Sequence, residues 1–168
     1  MKPGGGKRKG GSMERQISKA LSLWITNGKK EDVLWRSALS GGRATVAHKR
    51  GSSLGHSAGD ISAIAPEGHV LTDSYYLELK HYKKLSLDCL LKGKGPLLDI
   101  WKNTVKEASK YNKIPVLIYK QNNYPIMWVT TDLGVADMQA KALVMLEASN
   151  MYFVDFNALL ARPFPLGK

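Results

Sequence analysis

Residues 74–82, Ser74-Tyr75-Tyr76-Leu77-Glu78-Leu79-Lys80-His81-Tyr82, decide how the chain folds. The run is dense in aromatic and apolar side chains and reads as a β-strand. Alternate side chains of a strand share a face, so Leu77 and Leu79 point to one side while Glu78 and Lys80 point to the other. A carboxylate and an ammonium thus stand side by side on a strand whose opposite face is apolar. Acid-x-Lys triplets are commonly surface ion pairs of small energetic weight. This one is the single such triplet in the chain, and it lies in an apolar strand rather than on a polar helix face.

Immediately upstream, Asp60-Ile61-Ser62-Ala63-Ile64-Ala65 reads as another extended run, opened by Gly59 and closed by Pro66 and a turn at Glu67-Gly68-His69. The simplest arrangement is two adjacent antiparallel strands, a hairpin that carries Asp60 toward Glu78 and Lys80. Two carboxylates on one sheet face repel each other unless a cation or the lysine neutralises them. Paired hard oxygen donors suit magnesium, which keeps several waters that a phosphate substrate can replace.

Further out, Ser12 caps a helix whose stripe is Met13, Ile17, Ala20, Leu21 and Trp24, stopped by Asn27-Gly28. Val33 to Arg36 is a short strand, and Ser40 to Gly59 a long surface loop. Downstream, Gly93-Lys94-Gly95-Pro96 precedes a helix from Leu97 to about Tyr111, and Pro115 to Tyr119 is a buried strand, so helix and strand together suggest a crossover. A turn at Asn122 to Pro125, a strand from Ile126 to Thr131, a helix from Val135 to Ser149 and a strand from Met151 to Phe156 complete the chain. The order α-β-β-β-α-β-β-α-β predicts an α/β fold, a mixed β-sheet flanked by helices. Residues 1–12 read as a flexible basic arm, since they contain no large apolar group beyond Met1. Residues 13–168 are expected to form one domain, with a core at about 13–120 and an extension of the sheet over 121–168.

The 168 residues carry 25 Lys and Arg against 14 Asp and Glu, a net charge of +11. All of that excess falls in residues 1–113, with 21 bases and 10 acids, while residues 114–168 hold four of each. An anionic partner is implied, and nucleic acid is favoured over lipid because no strongly basic amphipathic helix stands out. One cysteine, Cys89, excludes a disulfide framework and a Cys-rich zinc module. His48, His56, His69 and His81 are too scattered for a zinc signature. No run reaches the ~20 apolar residues that cross a bilayer. Neither membrane insertion nor secretion is expected, and the expected compartment is the cytoplasm of a bacterial or phage-infected cell.

Gly59-Asp60, seventeen intervening residues and Glu78-Leu79-Lys80 resemble the motif of the PD-(D/E)xK, or restriction-endonuclease-like, nuclease superfamily. Ser12-Met13-Glu14-Arg15 at the opening of the first helix is similar to the Holliday-junction-resolvase branch and to nucleases of tailed phages, where a helix-borne glutamate joins the site. The resemblance spans roughly residues 12–120 and departs from the pattern at one place, Gly59, where the family has proline. It implies a metal-dependent DNA endonuclease with Asp60 and Glu78 as ligands of Mg2+, which Mn2+ can replace. The backbone carbonyl of Leu79 is the implied third ligand, and Glu14 joins directly or through water. Lys80 is implied to orient or help deprotonate the attacking water and to steady charge on the phosphate. Cleavage of branched DNA by a homodimer, leaving 5′-phosphate and 3′-hydroxyl ends, follows by the same analogy.

Around the acidic cluster, Arg36, Lys83 and Lys84 are candidate DNA contacts. So are Ser40 and Arg43 in Ser40-Gly41-Gly42-Arg43, and Lys49 and Arg50 before Gly51-Ser52-Ser53, where glycine lets a backbone approach phosphate closely. Tyr76, on the face of Glu78, is the aromatic offered for substrate contact. The four tryptophans read first as core or interface. Two rival readings share the basic field: a non-catalytic DNA-binding or packaging accessory protein, and an RNA-binding protein of ribosomal type.

Overall fold

The computed structural model describes residues 5–37, 58–84 and 87–165. The central sheet has five strands in the order β3-β4-β5-β7-β6. They are β3 (Tyr75–Tyr82), β4 (Ile114–Gln121), β5 (Met127–Thr130), β6 (Val144–Leu146) and β7 (Met151–Asp155). β3 and β4 run parallel, with Glu78 beside Leu117 and Lys80 beside Tyr119, and all other neighbours are antiparallel. A parallel neighbour needs a crossover, and the helix Pro96–Ser109 supplies it.

Strand alternation distributes the core between two layers. Leu77, Leu79, Val116, Ile118, Trp128 and Val154 face one side, where they meet Met13, Ile17, Leu21 and Trp24 of helix α1 (Gly5–Ile25). Leu117, Tyr119, Val129 and Phe153 face the other and pack on Leu97, Leu98 and Trp101 of the crossover helix. Helices thus cover both faces, as the mixed-sheet expectation requires. α1 stops where expected, with Asn27 and Gly28 at positive φ, and the Gly28 N–H closes on the Leu23 carbonyl at 2.7 Å. It starts at Gly5, ahead of the expected cap at Ser12, although its buried stripe begins only at Met13.

Two expectations fail. The runs at 60–65 and 74–82 do not form a hairpin. β2 (Ile61–Ala63) instead pairs antiparallel with β1 (Leu34–Arg36) in a separate two-stranded sheet. Pro66-Glu67-Gly68 forms a 3-10 turn running into a helix, His69–Thr72, so the chain climbs back before β3 and enters it parallel to the segment at Gly59. Gly68 fixes this path, since a Cβ there would lie 2.5 Å from the Val33 carbonyl oxygen. The helix expected from Val135 to Ser149 is a short one, Asp132–Asp137, capped by Thr131 and followed by strand β6. Gln139 at φ 49° turns the chain out of the helix, and the Leu143 N–H bonds to the Phe153 carbonyl at 2.7 Å. Pairing along β7 outweighs the helix preference of the Ala, Leu and Met in this stretch.

Candidate active site

Asp60 is set by the backbone on either side of it. Gly59 stands at φ +93°, and a Cβ there would lie 2.6 Å from the Leu77 carbonyl oxygen. Neither condition admits proline, whose ring fixes φ near −65°, which accounts for the departure from the motif. The Asp60 N–H donates to the Leu77 carbonyl at 2.7 Å, and the Asp60 carbonyl accepts from the Ser37 N–H at 2.8 Å. The side chain is held too: the Leu79 N–H donates to Asp60 Oδ2 at 2.8 Å. β3 is the terminal strand of its sheet, so Leu77 and Leu79 direct their backbone groups to its outer edge, where Asp60 lies. The N–H and C=O of one strand residue point to the same side; the Leu79 carbonyl therefore faces that edge as well.

Glu78 and Lys80 share the sheet face predicted for them. The Lys80 ammonium bonds Glu78 Oε1, and the Tyr76 hydroxyl donates to Glu78 Oε2 at 3.4 Å. Tyr76 is only 8% exposed and stacks on Tyr111, with ring centroids 6.3 Å apart. It therefore holds a carboxylate rather than offering a surface to substrate, and nothing in the sequence links position 76 to Tyr111, just past the crossover helix. Burial, followed by repulsion from Glu78, pushes the Asp60 carboxyl up to about 7, with a smaller push from Glu14. Burial works against the Lys80 ammonium, but Glu78 and Asp60 outweigh it and its pKa stands above that of an ordinary lysine. Burial and the two carboxylates raise the Tyr76 phenol, which stays protonated.

Glu14 lies at the edge of the buried stripe of α1, and its carboxylate forms an ion pair with Arg36, Nε to Oε2 3.6 Å. Lys83 and Lys84 are exposed just past the end of β3. Ser40, Arg43, Lys49 and Arg50 lie outside the described residues. Among the described residues no group of three or more His, Cys, Asp and Glu side chains is arranged to hold a metal ion. Asp60 and Glu78 nevertheless offer two carboxylates beside an outward-facing carbonyl. Burial first, and then repulsion from Glu78, raises the Asp60 carboxyl, and a bound cation would relieve both costs of ionising it. This donor set fits a magnesium-type ion, bound through one or two carboxylates and retained waters.

A mixed sheet covered by helices, with an aspartate at the edge of the strand that carries Glu78-x-Lys80, defines the PD-(D/E)xK nuclease superfamily. Within it the chain belongs to the family described as "Phage putative PDDEXK endonuclease", whose model matches residues 5–158. No curated protein and no solved structure matches the chain significantly. Among the described residues no helix is long and apolar enough to cross a membrane.

Proposed function

We propose that this protein is a metal-dependent endonuclease that hydrolyses phosphodiester bonds of DNA, with branched DNA as its preferred substrate. The observation that carries this reading is the Asp60 carboxyl, anchored by the Leu79 N–H and driven up by burial and Glu78. A buried acid beside a second acid is unfavourable in a purely structural role, and useful where a cation is to be bound. Asp60, Glu78 and the Leu79 carbonyl are the proposed ligands of Mg2+, with Mn2+ as a substitute, and Glu14 joins them through water once it leaves Arg36. Such an ion, when bound, neutralises phosphate charge and acidifies water.

The chain's own groups do the rest. Lys80, protonated and held against Glu78, orients the attacking water and steadies the charge that builds on the phosphate. Tyr76 fixes the carboxylate of Glu78 in the orientation that ligation needs. Arg36, Lys83 and Lys84, with Ser40, Arg43, Lys49 and Arg50, are the proposed phosphate contacts, and they draw support from the +11 charge. The proposed homodimer would join through the β6 edge, where Leu143, Val144 and Met145 are exposed by 62%, 54% and 48%. That edge belongs to the electrically neutral third of the chain, and a free strand edge invites a second strand. Two copies related by a twofold axis would suit paired nicks across a junction.

The test is incubation with linear, flapped and four-way DNA, with magnesium or with chelator. Magnesium-dependent cutting of the branched substrates ahead of the linear one is expected. Binding without cutting in every metal condition would leave a DNA-binding protein and remove the enzyme.

A further inference from the structure

Three of the four tryptophans are core residues: Trp24, Trp101 and Trp128 are 6%, 1% and 0% exposed. Trp35 is 45% exposed, and no aromatic ring among the described residues packs on it. Its position gives that exposure a meaning. In the β1–β2 pair Trp35 stands opposite Ser62, and the ladder continues beyond β2 through the Ser37 N–H to the Asp60 carbonyl. Asp60 and Ile64, two residues either side of Ser62, are therefore the diagonal neighbours of Trp35. Diagonal neighbours in such a pair stand roughly 7–8 Å apart. Ile64 is itself 59% exposed. The outer face of the small sheet thus offers a bare indole with an apolar neighbour at one end and the Asp60 site at the other.

We infer that Trp35 is a stacking platform for an unpaired base of the DNA, seated beside the phosphate that Asp60 serves. The proposed nuclease site decides between occupants: Asp60, a diagonal neighbour of Trp35, is assigned a DNA phosphate there, and a base beside that phosphate is the occupant this placement favours. The indole accepts any base, since every base presents a π-face. Inside a duplex that face is already covered by neighbouring base pairs, so only a nucleotide freed at a flap, fork or junction can use it. Trp35 thereby selects substrates that hold unpaired nucleotides next to the cut. This rests on the nuclease reading for the identity of the polymer and for the phosphate and the cut beside the platform.

The experiment is a tryptophan-fluorescence titration in chelator, so that nothing is cut, with flapped DNA and with blunt duplex of the same length. Because the other three indoles are buried, quenching reports on Trp35. Wild-type protein is expected to be quenched by flapped DNA far more than by duplex. Trp35→Phe should lose the quench while keeping the preference for the flap, since phenyl also stacks. Trp35→Ala should lose both, its flap-to-duplex affinity ratio falling about tenfold. A quench that survives in Trp35→Phe, or a ratio unmoved in Trp35→Ala, overturns the inference. Absence of cutting in a separate assay with magnesium bears on the nuclease reading alone, because these titrations contain no free metal.

Discussion

The pKa of the Asp60 carboxyl is shifted upward, where a paired or hydrogen-bonded carboxylate is usually shifted downward. Its folded-state pKa of about 7 lies above the ordinary aspartate value of 3.8, through burial and then Glu78. The folded protein therefore holds a proton that the unfolded chain releases. Its contribution to stability is present below about pH 4 and is lost as pH rises through about 7, at no more than about 1.4 kcal/mol per pH unit. The metal-free protein should melt at a lower temperature at pH 8 than at pH 5.5, and Asp60→Asn should flatten that slope in differential scanning calorimetry. An ion that binds the ionised carboxylate works against the trend, so magnesium should raise the melting temperature more at pH 8 than at pH 5.5. A magnesium effect equal at both pH values, or greater at pH 5.5, would contradict Asp60 as a ligand. Lys80→Ala leaves the acids in place and removes the positioned ammonium. The expected loss is about 10²–10³-fold in the rate of cutting, with DNA affinity nearly unchanged in a filter-binding assay.

Among the elements, the junction from Gly59 into Asp60 is where a small change does most harm. Gly59→Ala meets both a positive φ and a carbonyl oxygen 2.6 Å from the new Cβ, and should destabilise the fold by at least about 2 kcal/mol in urea denaturation. The same junction separates what was legible in the sequence from what was not. Alternation alone put Leu77 and Leu79 in the core and Glu78 beside Lys80. The sequence also brings Asp60 toward β3, but through an expected hairpin, whereas it arrives through a parallel bridge to Leu77, because Pro66-Glu67-Gly68 begins a helical turn instead of reversing the chain. Local pattern reads which face a residue occupies. It does not read which strand will be its neighbour, since that depends on segments distant in sequence, as β1 and β2 illustrate. The mistaken helix at 135–149 has the same origin, for β6 exists only through its bonds to β7. Tyr111 and the exposure of Trp35 were hidden for this reason too.

For the whole molecule, the asymmetry of charge divides a basic first two thirds from a neutral last third. The basic two thirds hold the site and are expected to grip phosphates. With six to ten contacts, DNA affinity should fall by roughly 10³–10⁵ between 50 and 200 mM salt, and a salt-independent affinity would contradict the electrostatic account. The neutral third ends in the apolar β6 edge. Val144→Lys places a charge on that edge without touching the buried layers, since Val144 is 54% exposed. Sedimentation should show the proposed dimer for the wild type and a monomer for the variant, with the melting temperature of the variant measured alongside to show that its fold persists.

The most direct test is the nicking of supercoiled plasmid by wild-type protein, Asp60→Asn and Lys80→Ala, each with magnesium and with chelator. The wild type should nick in magnesium and not in chelator, and both variants should be silent or slower by at least about 10²-fold. Nicking at the wild-type rate by either variant, or by the wild type in chelator, would contradict the assignment of the site.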